Sequence, residues 1–186
     1  MKAALLLIDF QKAFENEKWG ERNNADAEYK AQQILSAFRN KGILILHVQH
    51  TSNHPESVFN YERIGLHFKD GFEPQSGERI FQKSVNSAFI GTDLDACLRD
   101  NGVEVLFICG LTLPHCVSTT TRMAANLGFS VSLITDATAT FALPDLTGTM
   151  LNPKLLHDVN IASLQGEFAE IITTEEALQM LDKGKL

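Results

Sequence analysis

Cys116 stands where a nucleophile could be held. It follows an apolar run, Val103 to Cys109, whose β-branched and aromatic content fits a strand buried on both faces. Gly110 breaks the run, and Val117 to Leu127 then reads as a helix stopped by Gly128. Cys116 therefore falls at a strand–turn–helix junction. Free backbone N–H groups and the positive end of the helix dipole favour a thiolate there, and the thiolate is the nucleophile. The same N–H groups can hold the oxyanion of an acyl-transfer intermediate. The plainer alternative is a small buried side chain, a common state for free cysteine.

A cysteine nucleophile needs a proton acceptor, and its leaving group needs a donor. Asp9, at the end of the apolar run Ala3 to Ile8, can do both if desolvation raises its pKa; otherwise it caps a loop. Lys83 follows an apolar patch and precedes SVNSAF. A nearby ammonium stabilises thiolate and carboxylate alike, although spacing alone favours a solvated surface lysine, the usual fate of lysine. His115, beside Cys116, is a candidate substrate contact. His47, His50 and His54 lie close together, and imidazole is a common zinc ligand. His47 and His50 would point to opposite faces of a strand, however, and no carboxylate lies among the three. The set fits no closed tetrahedral pattern, so no metal is expected at His50 or His54. No GxGxxG follows a strand and no Walker-type loop occurs, so no cofactor is expected. Cys109 and Cys116 are seven residues apart and lack the motif of a redox dithiol.

These residues need elements to position them. Ala3 to Ile8 reads as a first strand and Phe10 to Asn24 as a loop. Ala25 to Lys41 reads as an amphipathic helix with Tyr29, Ile34, Leu35 and Phe38 on one face, stopped by Gly42. Further strands are expected at Ile43 to Val48, Arg79 to Lys83, Ser130 to Thr135 and Phe168 to Ile172. Helices are expected from Thr92 as N-cap to Asn101, from Pro153 to Gln165, and after Thr174 as a cap with Glu175 and Glu176 in the first turn. Residues 49–78 are polar and irregular, the best candidate for an active-site cover; 136–152 is another loop. Strands alternating with helices predict an α/β fold: a Rossmann-like three-layer sandwich with a six-stranded parallel sheet covered on both faces. Strand order 3-2-1-4-5-6, assumed for this type of fold, would bring Asp9 and Cys116 together over the crevice where the order reverses.

Composition narrows the function. The chain has 186 residues, 44% of them hydrophobic, and residues 1–186 are expected to form one domain. The formal net charge is −7 and no basic cluster occurs, which argues against nucleic acid and anionic membrane as partners. Three cysteines without a CxxC pair argue against a disulfide framework and fit a reducing cytoplasm. The apolar start MKAALLLIDF is too short for a membrane span and lacks a small-residue cleavage site.

Taken in order, LLLIDFQ, FQKSVNSAF, ICGLTLPHCVSTTTRMAANLGF and LITDATATF resemble the isochorismatase-like cysteine hydrolase family, and the resemblance extends to FAEIITTEEAL. It implies an Asp–Lys–Cys triad at Asp9, Lys83 and Cys116. It also implies a non-proline cis peptide at Leu111–Thr112, which shapes an oxyanion hole formed by the N–H groups of Thr112 and Cys116. Homo-oligomers, dimers or tetramers, are usual in the family. Two departures matter. Leu113 replaces a threonine found in many members, and HTSNHPES lacks the Asp-x-His metal motif of nicotinamidases. Isochorismatase proper does not use the cysteine, so Cys116 argues for C–N bond hydrolysis. The expected activity is metal-independent amidohydrolysis of a small amide or ureido compound through a thioester. Phe14, Trp19, Tyr61, Phe89 and His115 are the candidates for the pocket wall, each alternatively a core or interface residue. The competing expectation is a catalytically silent member of the fold that binds a metabolite or partner.

Overall fold

The computed structural model describes residues 2–184. A central strand β1 (Ala3–Ile8) and its neighbour β4 (Val105–Leu111) are buried at every position, as continuous apolar runs demand. With β2 (Leu44–His50), β3 (Arg79–Lys83), β5 (Ser130–Ala139) and β8 (Glu170–Ile172) they form one six-stranded sheet, ordered β3-β2-β1-β4-β5-β8 and parallel throughout. The two-residue strands β6 (Leu143–Pro144) and β7 (Met150–Leu151) pair as a separate antiparallel ribbon inside the segment expected to be a loop.

The alternation of β1 sorts the core into two layers. Ala3, Leu5 and Leu7 pack with α1 (Ala27–Lys41) and α5 (Thr174–Asp182). Ala4, Leu6 and Ile8 pack with α2 (Leu94–Asp100), α3 (Ser118–Asn126) and α4 (Pro153–Leu164). In α1 the N-cap Asp26 makes no side-chain capping bond, a loss of about 1 kcal/mol. Burial of Ile34, Leu35 and Phe38, about 1.5–3 kcal/mol each, outweighs it. Tyr29, expected on that face, is exposed, and Ala27 and Ala31 take its place against the sheet.

Other expectations shift by small amounts for local reasons. The N-cap of α5 is Thr173, which closes a capping box with Glu176, while the hydroxyl and N–H of Thr174 turn to Asp136 Oδ1. The N-cap of α2 is Asp93, one residue past Thr92, and the Thr92 hydroxyl donates to Ala88 O. The β5 strand runs on to Ala139, because its pairing with β4 resumes at Gly110↔Thr138 after a break in register.

Two backbone features bring the ends of β1 and β4 together. Gly110 has φ 151°, and a Cβ there would lie 2.2 Å from the Ile8 carbonyl oxygen, so only glycine lets β4 pass this close to β1. Asp9, the residue after β1, is left-handed with φ 53°, a conformation that aspartate tolerates better than most residues. Its N–H donates to Val48 O and its carbonyl accepts from the Gln11 N–H, which fixes the turn.

Candidate active site

Asp9, His50 and Lys83 all lie at C-terminal strand ends, and His50 pairs with Lys83 in the β2–β3 register. Cys116 comes from the β4 side. It lies within a π-helical turn, Leu113–Val117, that leads into α3, rather than at the start of an α-helix. Turns of this kind are frequent at functional sites. The Leu111–Thr112 peptide before it is cis.

Lys83 is the hub. Its Nζ donates to Asp9 Oδ2 at 2.7 Å, to His50 Nδ1 at 3.0 Å and to Cys116 Sγ at 3.3 Å. An ammonium has three protons, and each finds an acceptor. The side chains of Lys83 and Asp9 are wholly buried. An unpaired ion there would cost several kcal/mol, so each is needed to hold the other. The second carboxylate oxygen, Asp9 Oδ1, is buried with no partner among the described residues. It is an acceptor left open beside the thiol.

The electrostatics correct one expectation. A thiol at a helix start was expected to be poised as a thiolate. Burial instead pushes the Cys116 thiol up to about 12, the Asp9 carboxylate adds to the effect, and Lys83 opposes it. The resting group is a thiol, and a nucleophilic role requires the loss of its proton. Removing Lys83 removes the opposing charge. In Lys83→Met the thiol pKa should rise further, and iodoacetamide labelling of Cys116 should slow about tenfold for each unit of rise. Equal labelling rates in wild type and variant, measured across pH 7–10, would mean that the ammonium does not act on the thiol.

The cover is tied to the site by amides. Gln11 Nε2 donates to the carbonyls of His50 and Leu66, each at 2.9 Å, and Gln11 Oε1 accepts from the His50 N–H at 2.8 Å. Gln49 Nε2 also donates to Leu66 O. The turn Ile64–Leu66 within the irregular segment is thereby pinned to the strand ends. Asn86, in the stretch after Lys83, places Oδ1 3.8 Å from Cys116 Sγ. Sequence reasoning missed Gln11, Asn86 and the part played by His50. A polar residue at a strand end or three positions past it was the available signal.

The pocket-wall candidates separate. Phe14 and Trp19 meet, with ring centroids 5.1 Å apart, and both pack with Phe59 and Phe141. Phe59 in turn lies 4.9 Å from the His50 ring. Tyr61 is half exposed on the cover, outside the ring cluster of Phe14, Trp19, Phe59 and Phe141. Phe89 stacks on Phe129 at 6.2 Å, against the core layer under α2 and α3. His115 faces Thr112, with Nδ1 3.0 Å from the hydroxyl, and burial lowers its pKa. Leu113 is wholly buried in the same core layer.

The three clustered histidines part company. His47 is buried against Glu78 at 2.7 Å, and exposed His54 accepts from the Glu56 N–H. Only His50 joins Asp9 and Cys116, the three offering ligand atoms within 4.8 Å of one another. The Lys83 ammonium already takes the cation position among them.

The family model described as Isochorismatase domain matches residues 3–176. YrdC, an uncharacterized isochorismatase family protein of Bacillus subtilis (strain 168), is 46% identical over 177 residues, covering 95% of each chain. Streptothricin hydrolase of Streptomyces noursei is 34% identical over 146 residues, 78% of this chain and 57% of that one. A solved structure from Chromobacterium violaceum ATCC 12472, assigned to the isochorismatase family of hydrolases, superposes with a TM-score of 0.95 at 38% identity, covering 98% of this chain and 94% of that chain.

Proposed function

We propose, from the premise that this chain belongs to the isochorismatase family, that it is a cysteine-dependent hydrolase of a C–N bond in a small amide or ureido compound. The observation that carries this reading is the buried Lys83 ammonium, shared between the Asp9 carboxylate and the Cys116 sulfur. A relative that is a hydrolase supports the reaction class.

In the proposed reaction the Asp9 carboxylate takes the thiol proton as sulfur attacks the substrate carbonyl. The N–H groups of Thr112 and Cys116 hold the oxyanion. Asp9, now protonated, gives that proton to the leaving nitrogen as the C–N bond breaks, leaving a thioester. Water adds to the thioester and Asp9 takes its proton. The C–S bond then breaks, the acid leaves, and the proton returns to sulfur. Lys83 stays charged throughout and balances whichever neighbour is anionic. Phe14, Trp19, Phe59 and Phe141 provide an apolar flank beside His50 for the rest of the substrate.

Incubation with an excess of small primary amides and ureides, read by intact mass and by ammonia release, tests the proposal. A transient acyl mass on Cys116 with ammonia release is expected. Ammonia release without any adduct, with Cys116 dispensable, would overturn it. Exhaustive chelation should leave the rate unchanged, because the ammonium fills the cation position. Stoichiometric zinc whose removal ends turnover would make His50 a ligand instead.

A further inference from the structure

We propose that His50 is a fixed hydrogen-bond donor to the substrate, locked by Lys83 into the Nε2–H tautomer. The inference rests on the hydrolase reading and adds a requirement on the substrate. Lys83 Nζ sits 3.0 Å from His50 Nδ1 and can only donate, so Nδ1 must be the unprotonated nitrogen. A neutral ring then carries its proton on Nε2. The ring is half-buried, and Nε2 has no partner among the described residues. Its backbone is clamped on both sides by Gln11, and the Phe59 ring packs against it, tilted, with centroids 4.9 Å apart. Position, tautomer and orientation are thus all fixed while one polar atom stays open.

The charges around the ring agree. Burial lowers the His50 pKa, Lys83 lowers it further, and Asp9 opposes. Cys116, the remaining titratable neighbour, rests as a neutral thiol. The ring therefore stays neutral at neutral pH, when a donor and not a second cation is presented. Asp9 Oδ1 is a buried acceptor without a partner among the described residues, and Asp9 and His50 share the Lys83 ammonium, so the same site offers one donor and one acceptor. The matching substrate has an N–H at the scissile nitrogen and a second acceptor, a carbonyl or carboxylate, close to the reacting carbon.

Long-range 1H–15N spectra of the labelled full chain at pH 7 should show His50 neutral, protonated at Nε2 and bare at Nδ1. In Lys83→Met the lock is gone and both tautomers should appear. Alkylation of Cys116 with iodoacetamide leaves a primary amide beside the ring, and the Nε2–H resonance should move and its exchange slow. Methyl methanethiosulfonate, which leaves only a methylthio group, should not reproduce this. An imidazolium or an Nδ1–H ring at pH 7 overturns the inference, as does an Nε2–H that responds alike to both reagents. Failure of the hydrolase reading would look different: the tautomer intact, with no acyl adduct and no turnover.

Discussion

Cys116→Ala should lower hydrolysis of any amide the protein turns over by at least about 10⁴-fold, because removing one member of a unit that works together removes nearly all of its effect. The fold should survive. Cys116 sits in a turn between β4 and α3, in contact with the core but not central to a layer, and the change deletes one sulfur atom. The loss in stability should be about 1 kcal/mol, the centre of the range for single substitutions. Thermal unfolding and residual turnover, measured on the same sample, separate the two effects. Cys116→Ser should be almost as inactive, since a hydroxyl is far harder for Asp9 to deprotonate. Cys97→Ala provides the control. That buried thiol lies on α2, away from the site, and its loss should leave turnover unchanged. Near-native hydrolysis by Cys116→Ala would end the proposed mechanism.

The sheet was legible because its strands are simple. AALLLI and VLFICGL are unbroken apolar runs, and a run of that kind between helical segments has few other destinations. Element ends were less legible, because tertiary partners decide them. Thr173 rather than Thr174 became the cap because Asp136, 38 residues away, claims Thr174. Tyr29 has the right spacing for the buried face of α1, but small side chains at Ala27 and Ala31 face the sheet instead. The strand β5 gained residues through a register break that no local pattern announces.

The site was legible to a different degree. Asp9, Lys83 and Cys116 could be named from strand-end positions and from motifs, but not their mutual charges. A helix terminus argues for a thiolate, and that argument fails once burial and a carboxylate are set against it. His50 was visible only as one of three clustered histidines. What distinguishes it from His47 and His54 is the register that sets it beside Lys83, and register is a property of the paired strands rather than of either alone. Phe59 and Phe141 escaped notice for the same reason. They are 82 positions apart in the chain and meet only through Phe14 and Trp19.

Asp9→Asn should produce two opposite effects in one protein. Hydrolysis should fall by about 10²–10⁴-fold, the usual worth of a positioned general base, because an amide cannot take the thiol proton or return it to the leaving nitrogen. Labelling of Cys116 by iodoacetamide should become faster. The Asp9 carboxylate raises the thiol pKa, and its removal leaves Lys83 as the nearest charge, acting to lower it. Charge balance points the same way. A buried ammonium holds one anion beside it, and without the carboxylate the sulfur is the remaining group able to supply that charge. Asparagine suits the test because it keeps the size of the side chain and tolerates the left-handed φ of 53° at this position. The sign is therefore opposite to that expected for Lys83→Met, in which labelling slows. A pair of variants that moves thiol reactivity in opposite directions while both lose turnover cannot be explained by general loosening of the fold, which would expose the sulfur in each. If labelling slows in Asp9→Asn, or if turnover survives, the carboxylate neither holds the proton on sulfur nor receives it, and another base must serve Cys116.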